Sequence, residues 1–288
     1  MYTLSELRDT YHAKIGSDIV RYSERNGSLY PNFADVSSQS SRLIASGIAE
    51  LIGIPIRTSP KITGQTAGNL FENLTCEFIE SAFTAIQHLR PGSWQYLTNQ
   101  TQISNFTQYQ HLESLASLVS KNQALSAALG HGYIVTPDIV IARHPVTQEE
   151  ANNGRDFLDD SGSATRTPFL SANQSTPHPT LHASISCKWT IRSDRSQNTR
   201  TEALNLIRNR KGNLPHIVAV TAEPLPMRIA SLALGTGDID CVYHFALDEL
   251  HEVCRTNPQM EDQSEMLEVM VEGNRLRDIS DLPFDIAV

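Results

Sequence analysis

The chain has 288 residues, of which 40% are hydrophobic and 19% charged, a composition typical of a folded domain rather than a disordered chain. Its longest apolar runs are far shorter than the roughly 20 residues of a membrane helix, and charges near the N-terminus are unlike a secretory signal. The four cysteines are widely separated, which argues against a disulfide framework and a zinc knuckle. We therefore expect a cytoplasmic protein with no membrane contact.

The net charge of −9 argues at first against nucleic acid as a partner, because a surface that binds phosphates needs lysine and arginine. The charge is unevenly distributed, however. Between residues 188 and 211 the chain carries seven basic and two acidic residues, a local charge of +5. Such a strip can bind a polyanion, or it can be the solvated face of a helix, and the charge pattern alone leaves both interpretations open.

Helices dominate the predicted elements of the first half of the chain. Apolar residues recur there at three- and four-residue spacing in four separate segments. This spacing predicts helices over residues 4–15, 41–52, 68–89 and 109–129, with a short strand over 94–97. The sequence Arg90-Pro91-Gly92 ends the third of these helices.

Strands and helices alternate in the second half. Strands are predicted over residues 133–143, 181–191 and 216–221, and helices over 199–210, 225–235, 245–255 and 261–272. Residues 144–180 form a polar excursion, rich in Asn, Ser, Thr and Pro, rather than a linker between domains. The pattern predicts a single α/β domain over residues 1–288, a β-sheet flanked by helices with an N-terminal helical elaboration.

Two charged residues interrupt the apolar strands. Asp138 lies in the run Thr-Pro-Asp-Ile-Val-Ile, and Lys188 lies in Ile-Ser-Cys-Lys-Trp-Thr on the next strand. A charge among apolar residues is costly unless it has a partner. The pair can be a buried structural ion pair, which is the more common case, or it can hold a divalent metal and an amine around one phosphate.

A third residue, Glu202, favours the metal-dependent interpretation. It opens the helix that follows Lys188, so its carboxylate can reach the same site. Two acids and one lysine are the minimum for magnesium-dependent hydrolysis of a phosphodiester, since the acids hold the metal and the lysine positions or deprotonates the attacking water. In the usual pattern, P-D…(D/E)-x-K, the second acid stands two residues before the lysine, but Ser186 occupies that position here.

The segment Arg192-Ser193-Asp194-Arg195 has the chemistry to recognise bases. Arginine bonds guanine O6 and N7 bidentately, and aspartate accepts from cytosine N4. Two arginines around one aspartate therefore suit two adjacent G·C pairs. Short motifs of this kind are usually exposed ion pairs at turns, but this one follows Lys188 by only four residues, which favours a role in DNA reading.

With these motifs, the chain resembles the type II restriction endonucleases that recognise CCGG. The resemblance covers nearly the whole chain, is least in residues 144–180, and is carried by the stretches LHASISCKWTIRSDR, LPHIV, ALGTGDIDCVYHFAL and DISDLP. It implies a restriction-endonuclease-like core of the PD-(D/E)XK type, with a central mixed β-sheet flanked by helices and a catalytic core over residues 65–245.

The resemblance also implies roles for individual residues. The catalytic set is Asp138, Lys188, Glu202 and Glu72, and the ligands of an Mg²⁺ ion are Asp138, Glu202 and the backbone carbonyl of Cys187. The DNA-reading set is Arg192, Asp194 and Arg195 for the inner base pairs, Arg228, Asp35 and Ser37 for the outer G·C pair, and Gln65 in the minor groove. The serine at position 186 is then the family's own departure from the usual motif.

An enzyme of this family is expected to cut double-stranded DNA at a palindrome containing CCGG, with GCCGGC as the full site. The products would be staggered ends with 5′-phosphate and 3′-hydroxyl groups. A palindrome requires two-fold symmetry, and the resemblance implies a homotetramer built as a dimer of dimers. A cytosine methyltransferase that protects the same site is the implied partner in the host.

Two other functions remain as alternatives. A repair or recombination nuclease without sequence specificity would share the same core, but the R-S-D-R motif argues against it. A catalytically silent DNA-binding regulator would share the fold, and the intact Asp138, Lys188 and Glu202 argue against that function.

Overall fold

A six-stranded β-sheet forms the centre of the computed structural model. The structure describes residues 2–98, 101–129, 134–159, 161–235 and 237–288, without the side chains of 129 and 193–196. Strands β1 (Tyr22–Arg25) and β2 (Ser28–Pro31) form a separate hairpin; the sheet contains β3 (Trp94–Leu97), β4 (Ile139–Arg143), β5 (Thr180–Lys188), β6 (His216–Thr221), β7 (Cys241–His244) and β8 (Leu276–Asp278). Strands β3 to β5 pair antiparallel and β5 to β8 pair parallel, so the predicted mixed sheet is confirmed.

Helices flank this sheet, as predicted. They are α1 (Leu4–Lys14), α2 (Gln39–Ile52), α3 (Gly64–Ala85), α4 (His111–Ser120), α5 (Gln123–Leu129), α6 (Gln148–Asn152), α7 (Ser193–Asn209), α8 (Pro226–Ala233), α9 (Leu247–Thr256), α10 (Glu261–Glu272) and α11 (Leu282–Asp285). Short 3-10 segments occur at Gln87–Leu89, Ile103–Asn105, Ser171–Asn173 and Pro258–Met260, and a π-helical turn, Ile15–Ile19, continues α1. Within the described residues, no helix combines the length and apolarity needed to cross a membrane.

Helix α3 connects the N-terminal helices to the sheet. The hydroxyl of Thr63 accepts the N–H of Thr66 at 3.1 Å and caps the helix start. One face of α3 is apolar and buried, formed by Ala67, Phe71, Leu74, Phe78 and Ile79. Because this face packs against β3 and β5, while α1 packs against α3, the polar residues on the opposite side of α3 are directed away from the core.

Three predicted elements differ from the structure. The helix expected over residues 109–129 is two helices, because Asn122 Oδ1 accepts the N–H groups of Ala124 and Leu125 at 3.0 and 3.1 Å and starts a new helix. The strand expected over 133–143 begins only at Ile139, so Asp138 precedes it rather than lying within it; residue 133 lies outside the described part. The helix expected over 199–210 begins earlier, so the R-S-D-R segment forms its start, and Glu202, expected to open this helix, lies in its middle.

Other elements are not revealed by the sequence pattern. The hairpin β1–β2 and the strands β7 and β8 contain only three or four residues each, too few for alternation to be recognised. Because β8 pairs with β7, the sheet continues beyond residue 245.

An aromatic cluster lies beneath the carboxyl ends of β5 and β7. The ring of Trp189 lies 5.6 Å from that of Phe33 and 5.2 Å from that of Phe71, and Phe33 lies 5.8 Å from Phe245, as measured between ring centroids. All four rings are buried. Edge-on aromatic contacts of this kind stabilise a fixed packing, so the cluster holds the loop at residues 32–37, α3 and the ends of two strands together.

Candidate active site

Asp138 and Lys188 meet at one edge of the sheet. Strand β4 runs antiparallel to β5 with Ile139 opposite Ile185, so the start of β4 lies beside the end of β5. Lys188 Nζ lies 2.8 Å from Asp138 Oδ2, and the two side chains are 20% and 31% exposed. The pair therefore remains accessible to a ligand, unlike a fully buried structural ion pair.

One carboxylate oxygen of Asp138 receives all the hydrogen bonds that we observe for this residue. Besides Lys188, Oδ2 accepts the N–H of Cys187 at 2.7 Å, and Ser186 Oγ lies 3.4 Å away. In the part of the chain that the structure describes, no donor bonds the other oxygen, Oδ1. That oxygen is therefore available as a ligand for a cation.

Glu202 lines the same cleft from α7. Burial raises the pKa of its carboxyl group; the charge of Lys188 counteracts this shift, and the charge of Asp138 adds to it. The carboxylate is thus held in surroundings that compensate its charge only in part. Such a group gains stability from a bound cation.

Glu72 and Cys187 complete the expected catalytic and metal-binding set. Glu72 projects into the cleft from α3. Burial raises the pKa of the Cys187 thiol well above its usual value; Asp138 and Glu72 add to the shift, while Lys188 opposes it. A thiol is a soft ligand that a hard ion such as Mg²⁺ does not favour, so the backbone carbonyl is the group of Cys187 that suits this ion.

The orientation of the Cys187 carbonyl follows from its neighbour. The carbonyl of Lys188 faces β6, where it accepts from Thr221 Oγ1 at 2.8 Å and from the N–H of Ala222 at 3.3 Å. Successive carbonyl groups point to opposite sides of a strand. The Cys187 carbonyl therefore points to the side on which its N–H bonds Asp138.

This donor set fits a divalent ion. Among the described residues, no three histidine, cysteine or acidic side chains group closely enough to hold a metal by themselves. Two carboxylates and one backbone carbonyl are nevertheless the hard oxygen ligands that Mg²⁺ prefers, and an incomplete set suits an ion that retains several waters.

A cleft of about 1180 Å³ opens at this edge of the sheet. Its walls contain nine of the residues predicted from the sequence: Asp35, Gln65, Glu72, Asp138, Cys187, Lys188, Arg192, Glu202 and Arg228. Residues that are separated by almost 200 positions in the sequence thus line one cavity, with the acid–lysine pair at its base.

Arg192 lies at the start of α7 and is exposed in the cleft. It is the last extended residue before the helix, four residues after the last residue of β5. Asp194 and Arg195 follow in the first turn of α7, and their side chains lie outside the described residues. The backbone therefore places the whole motif next to the end of the strand that carries Lys188.

Asp35, Ser37 and Arg228 form a hydrogen-bonded group, of which Asp35 and Arg228 line the cleft and Ser37 does not. Asp35 Oδ1 accepts from the N–H of Ser37 at 2.8 Å and from its Oγ at 2.6 Å, and Oδ2 pairs with Arg228 Nη2. The hydrogen bonds from Ser37 and Arg228 hold the pKa of Asp35 well below its usual range. The group thus presents an ionised carboxylate, a hydroxyl and a guanidinium in one place, which is a suitable set for a G·C edge.

Asn69 and Glu223 are among the polar residues of the cleft that the sequence analysis missed. Asn69 lies on α3 between Gln65 and Glu72, at spacings of four and three residues, so helical periodicity could have placed it on their face. Glu223 follows the apolar strand β6 in the same way that Asp138 precedes β4, and a lone acid beside an apolar run was the available signal.

Comparisons with known proteins are consistent with one family. The model of the NgoMIV restriction enzyme family matches residues 11–288. The type II restriction enzyme NgoMIV of Neisseria gonorrhoeae is 51% identical over 259 residues, which cover 88% of this chain and 89% of that enzyme. The structure of the type IIF restriction endonuclease Bse634I with cognate DNA is 14% identical and covers 88% of this chain and 98% of its own, with a TM-score of 0.35. The complex of the restriction endonuclease PspGI with substrate DNA is 14% identical and covers 99% of this chain and 92% of its own, with a TM-score of 0.30.

Proposed function

This chain belongs to the NgoMIV restriction enzyme family, and on that premise we propose that it is a magnesium-dependent endonuclease that cuts double-stranded DNA at a palindrome containing CCGG. Type II restriction enzymes are site-specific deoxyribonucleases, and restriction endonucleases generally use a divalent metal ion. The full site proposed is GCCGGC, and the proposed products are staggered ends with 5′-phosphate and 3′-hydroxyl groups.

The observation that carries this proposal is the composition of the cleft. The Asp138–Lys188 pair and the Asp35–Arg228 pair line the same cavity, together with Glu202 and Arg192. A duplex in this cleft would meet groups suited to hydrolysis and groups suited to reading G·C pairs at the same time. A nuclease without specificity would need only the first set, and a silent regulator only the second.

We assign the hydrolytic roles as follows. Asp138, Glu202 and the Cys187 carbonyl would hold the metal ion, which, when bound, neutralises charge that develops on the scissile phosphate. Lys188 Nζ, fixed by Asp138 at 2.8 Å, would orient the attacking water or accept its proton. The water oxygen forms a bond to phosphorus while the bond to the 3′-oxygen breaks. Glu72 would support the site from α3.

We assign base reading to two groups. Arg192, Asp194 and Arg195 would read the inner CCGG, with guanines bonded by the arginines and cytosine N4 by the aspartate. Arg228, with Asp35 and Ser37, would read the outer G·C pair, and Gln65 would contact the minor groove. The ion pair between Arg228 and Asp35 supports this assignment, because a guanidinium held in a fixed plane loses little entropy on binding guanine.

We further propose a homotetramer, a dimer of dimers, with a cytosine methyltransferase protecting the same site in the host. Two active sites related by two-fold symmetry match the two strands of a palindrome. A cytoplasmic location is supported by the four cysteines, all of which are free thiols. Sedimentation equilibrium would measure the assembly: a mass of one or two chains would contradict the tetramer.

Digestion of plasmid and genomic DNA, with and without Mg²⁺, tests the proposed activity. We expect discrete fragments only with the metal, and end sequencing should return one palindrome with CCGG at its centre. A smear of fragments would instead support the nonspecific nuclease, and binding without cutting would support the silent regulator.

Selection of bound sequences from a random pool tests the division of base reading. We expect Arg228→Ala to relax the outer pair while the inner CCGG is retained, and Arg192→Ala to relax the inner pairs. Each bidentate arginine–guanine contact should contribute about 1–3 kcal/mol of discrimination. An Arg228→Ala variant that still demands an outer G·C pair would refute the assignment.

A further inference from the structure

A buried carboxylate with no assigned role lies between the two reading groups. Glu223 follows β6 and is only 1% exposed, yet it borders the cleft. It belongs neither to the hydrolytic residues nor to the residues assigned to base reading. An acidic side chain is rarely buried to this extent unless it is paired with a cation or hydrogen-bonded.

The carboxylate of Glu223 contacts both reading groups. Its Oε2 accepts the N–H of Ile191, the residue before Arg192, at 2.8 Å. Its Oε1 lies 3.8 Å from Arg228 Nη1 and accepts the N–H of Leu225 at 3.3 Å. Arg228 thus lies between two acids, Glu223 on one nitrogen and Asp35 on the other.

The backbone of Glu223 is also anchored. Its N–H donates to Thr221 Oγ1 at 3.1 Å, and that hydroxyl donates to the carbonyl of Lys188 at 2.8 Å. Its carbonyl lies 3.2 Å from Nε2 of the buried His244. Because both ends of the residue are held, the carboxylate has little freedom to follow Arg228, and it can impose a position on the arginine.

We propose that Glu223 is a positioning residue that fixes Arg228 relative to the start of the R-S-D-R segment, so that outer and inner base pairs are read in one register. This inference rests on the proposed roles of Arg228 and Arg192. It adds a contact that neither role requires by itself. The Glu223 carboxylate accepts the backbone N–H of Ile191, next to Arg192, and also faces the guanidinium of Arg228.

The ionisation of Glu223 offers an independent measurement. Burial raises its pKa to about 7, against the lowering effects of the Ile191 N–H and the Arg228 charge. The other groups that face it keep one charge state between pH 6 and 8. His244 is neutral, because burial lowers its pKa to about 4; Asp35 is ionised and Arg228 is a cation.

Replacement of Glu223 by glutamine tests the proposal. One amide oxygen cannot serve both Ile191 and Arg228, so the Ile191 bond should survive while an NH₂ group faces the guanidinium. Selection from a random pool in metal-free buffer, where bound DNA is not cut, should show about a tenfold loss of preference for the outer G·C pair and a smaller change in the inner CCGG.

Glu249→Gln is the matched control, because Glu249 is a partly buried acid bonded to Arg8 and does not line the cleft. We expect this control to keep the outer preference of the parent protein. Equal relaxation in both variants would show that Glu223→Gln acts through general destabilisation and would overturn the proposal.

A pH series on the unmodified protein keeps the inference testable even if the glutamine variant does not fold. Outer-pair preference should fall between pH 8 and pH 6 as Glu223 takes up a proton, and the same series on Arg228→Ala should be flat. A constant outer preference in a parent protein whose Glu223 takes up a proton over this range would refute the role of Glu223. If the parent selects no CCGG sequence at any pH, the proposed function itself has failed instead.

Discussion

The acids of the Arg8 cluster and two acids of the cleft, Glu202 and Glu223, have pKa shifts of opposite direction. In the Arg8 cluster, formed by Arg8, Glu249 and Asp278, the guanidinium donates four bonds of 2.7–3.0 Å to the two carboxylates. Burial alone would raise the pKa of both acids, but the bonds and charge of Arg8 outweigh burial, and both pKa values are lowered. In the cleft, burial prevails at Glu202 and Glu223, whose pKa values are raised, while the bonds from Ser37 and Arg228 lower the pKa of Asp35.

The difference separates a structural cluster from a functional one. Each guanidinium nitrogen of Arg8 finds an acceptor, so the charges of the Arg8 cluster compensate one another, and the cluster ties α1 to α9 and β8. The cleft holds carboxylates whose charge is only partly compensated by the protein. Such an arrangement costs stability and is typical of a site that receives a cation or another ligand.

The largest effect is expected from Lys188→Ala. Cleavage should fall by about 10²–10⁴-fold, because no amine would remain to orient or deprotonate the attacking water. Single-turnover cleavage and equilibrium binding of the same duplex would be measured, and binding should be largely retained. Lys14→Ala is the control, since Lys14 pairs with Glu77 on the surface and should leave cleavage unchanged. Comparable losses in both variants would remove Lys188 from the mechanism.

Arg8→Ala should damage stability rather than chemistry. One buried carboxylate, Asp278, and one partly buried carboxylate, Glu249, would lose their cation, at a cost of about 3–5 kcal/mol in the free energy of unfolding. Urea denaturation would measure this loss. Arg255→Ala, which removes an exposed pair with Glu252, should cost no more than about 1 kcal/mol. Similar values for the two arginines would show that the Arg8 cluster is not the anchor described above.

The two clusters should also differ in their response to pH. Glu223 has a folded pKa of about 7, above its ordinary value of 4.5, so its contribution to stability is present below pH 4.5 and is lost as the pH rises to 7. This loss can reach about 3 kcal/mol. Glu249 and Asp278, with lowered pKa values, contribute above their ordinary pKa and lose that contribution in more acid solution.

Unfolding free energies measured from pH 5 to pH 8 for the parent and for Glu223→Gln would reveal the effect. The difference between the two proteins should change with pH over that range. A difference that stays constant would mean that Glu223 is already ionised at pH 5.

Replacement of one acid by glutamine should change the free energy of unfolding less than Arg8→Ala does. The change should have opposite signs for Glu202 in the cleft and Glu249 in the Arg8 cluster. Glu202→Gln should raise the free energy of unfolding by about 0.5–2 kcal/mol, because a poorly compensated charge is removed, while cleavage is lost. Glu249→Gln should lower stability and leave cleavage intact. A Glu202→Gln protein with full activity would place the second metal-binding acid elsewhere, with Glu72 as the next candidate.

Much of the candidate site could be predicted from the sequence because its signals are local. Asp138 and Lys188 stand out as single charges beside apolar runs, and Arg192 lies four residues after Lys188. The α/β class followed from the alternation of strand and helix patterns, and the mixed sheet from the family resemblance. At Asn122 two local signals conflict. The apolar spacing continues through this residue and predicts one helix, but the Asn122 side chain caps a new helix there.

Other features required the tertiary structure, because they depend on residues far apart in the chain. Nothing near Arg8 indicates that its partners lie at positions 249 and 278, and nothing near Asp35 indicates Arg228. The role of a buried acid depends on which cations and donors the fold places around it. By itself, the sequence determined which residues carry charge into the apolar framework. Only the packing of distant elements decided whether each charge is compensated fully, as at Arg8, or only in part, as at Glu202.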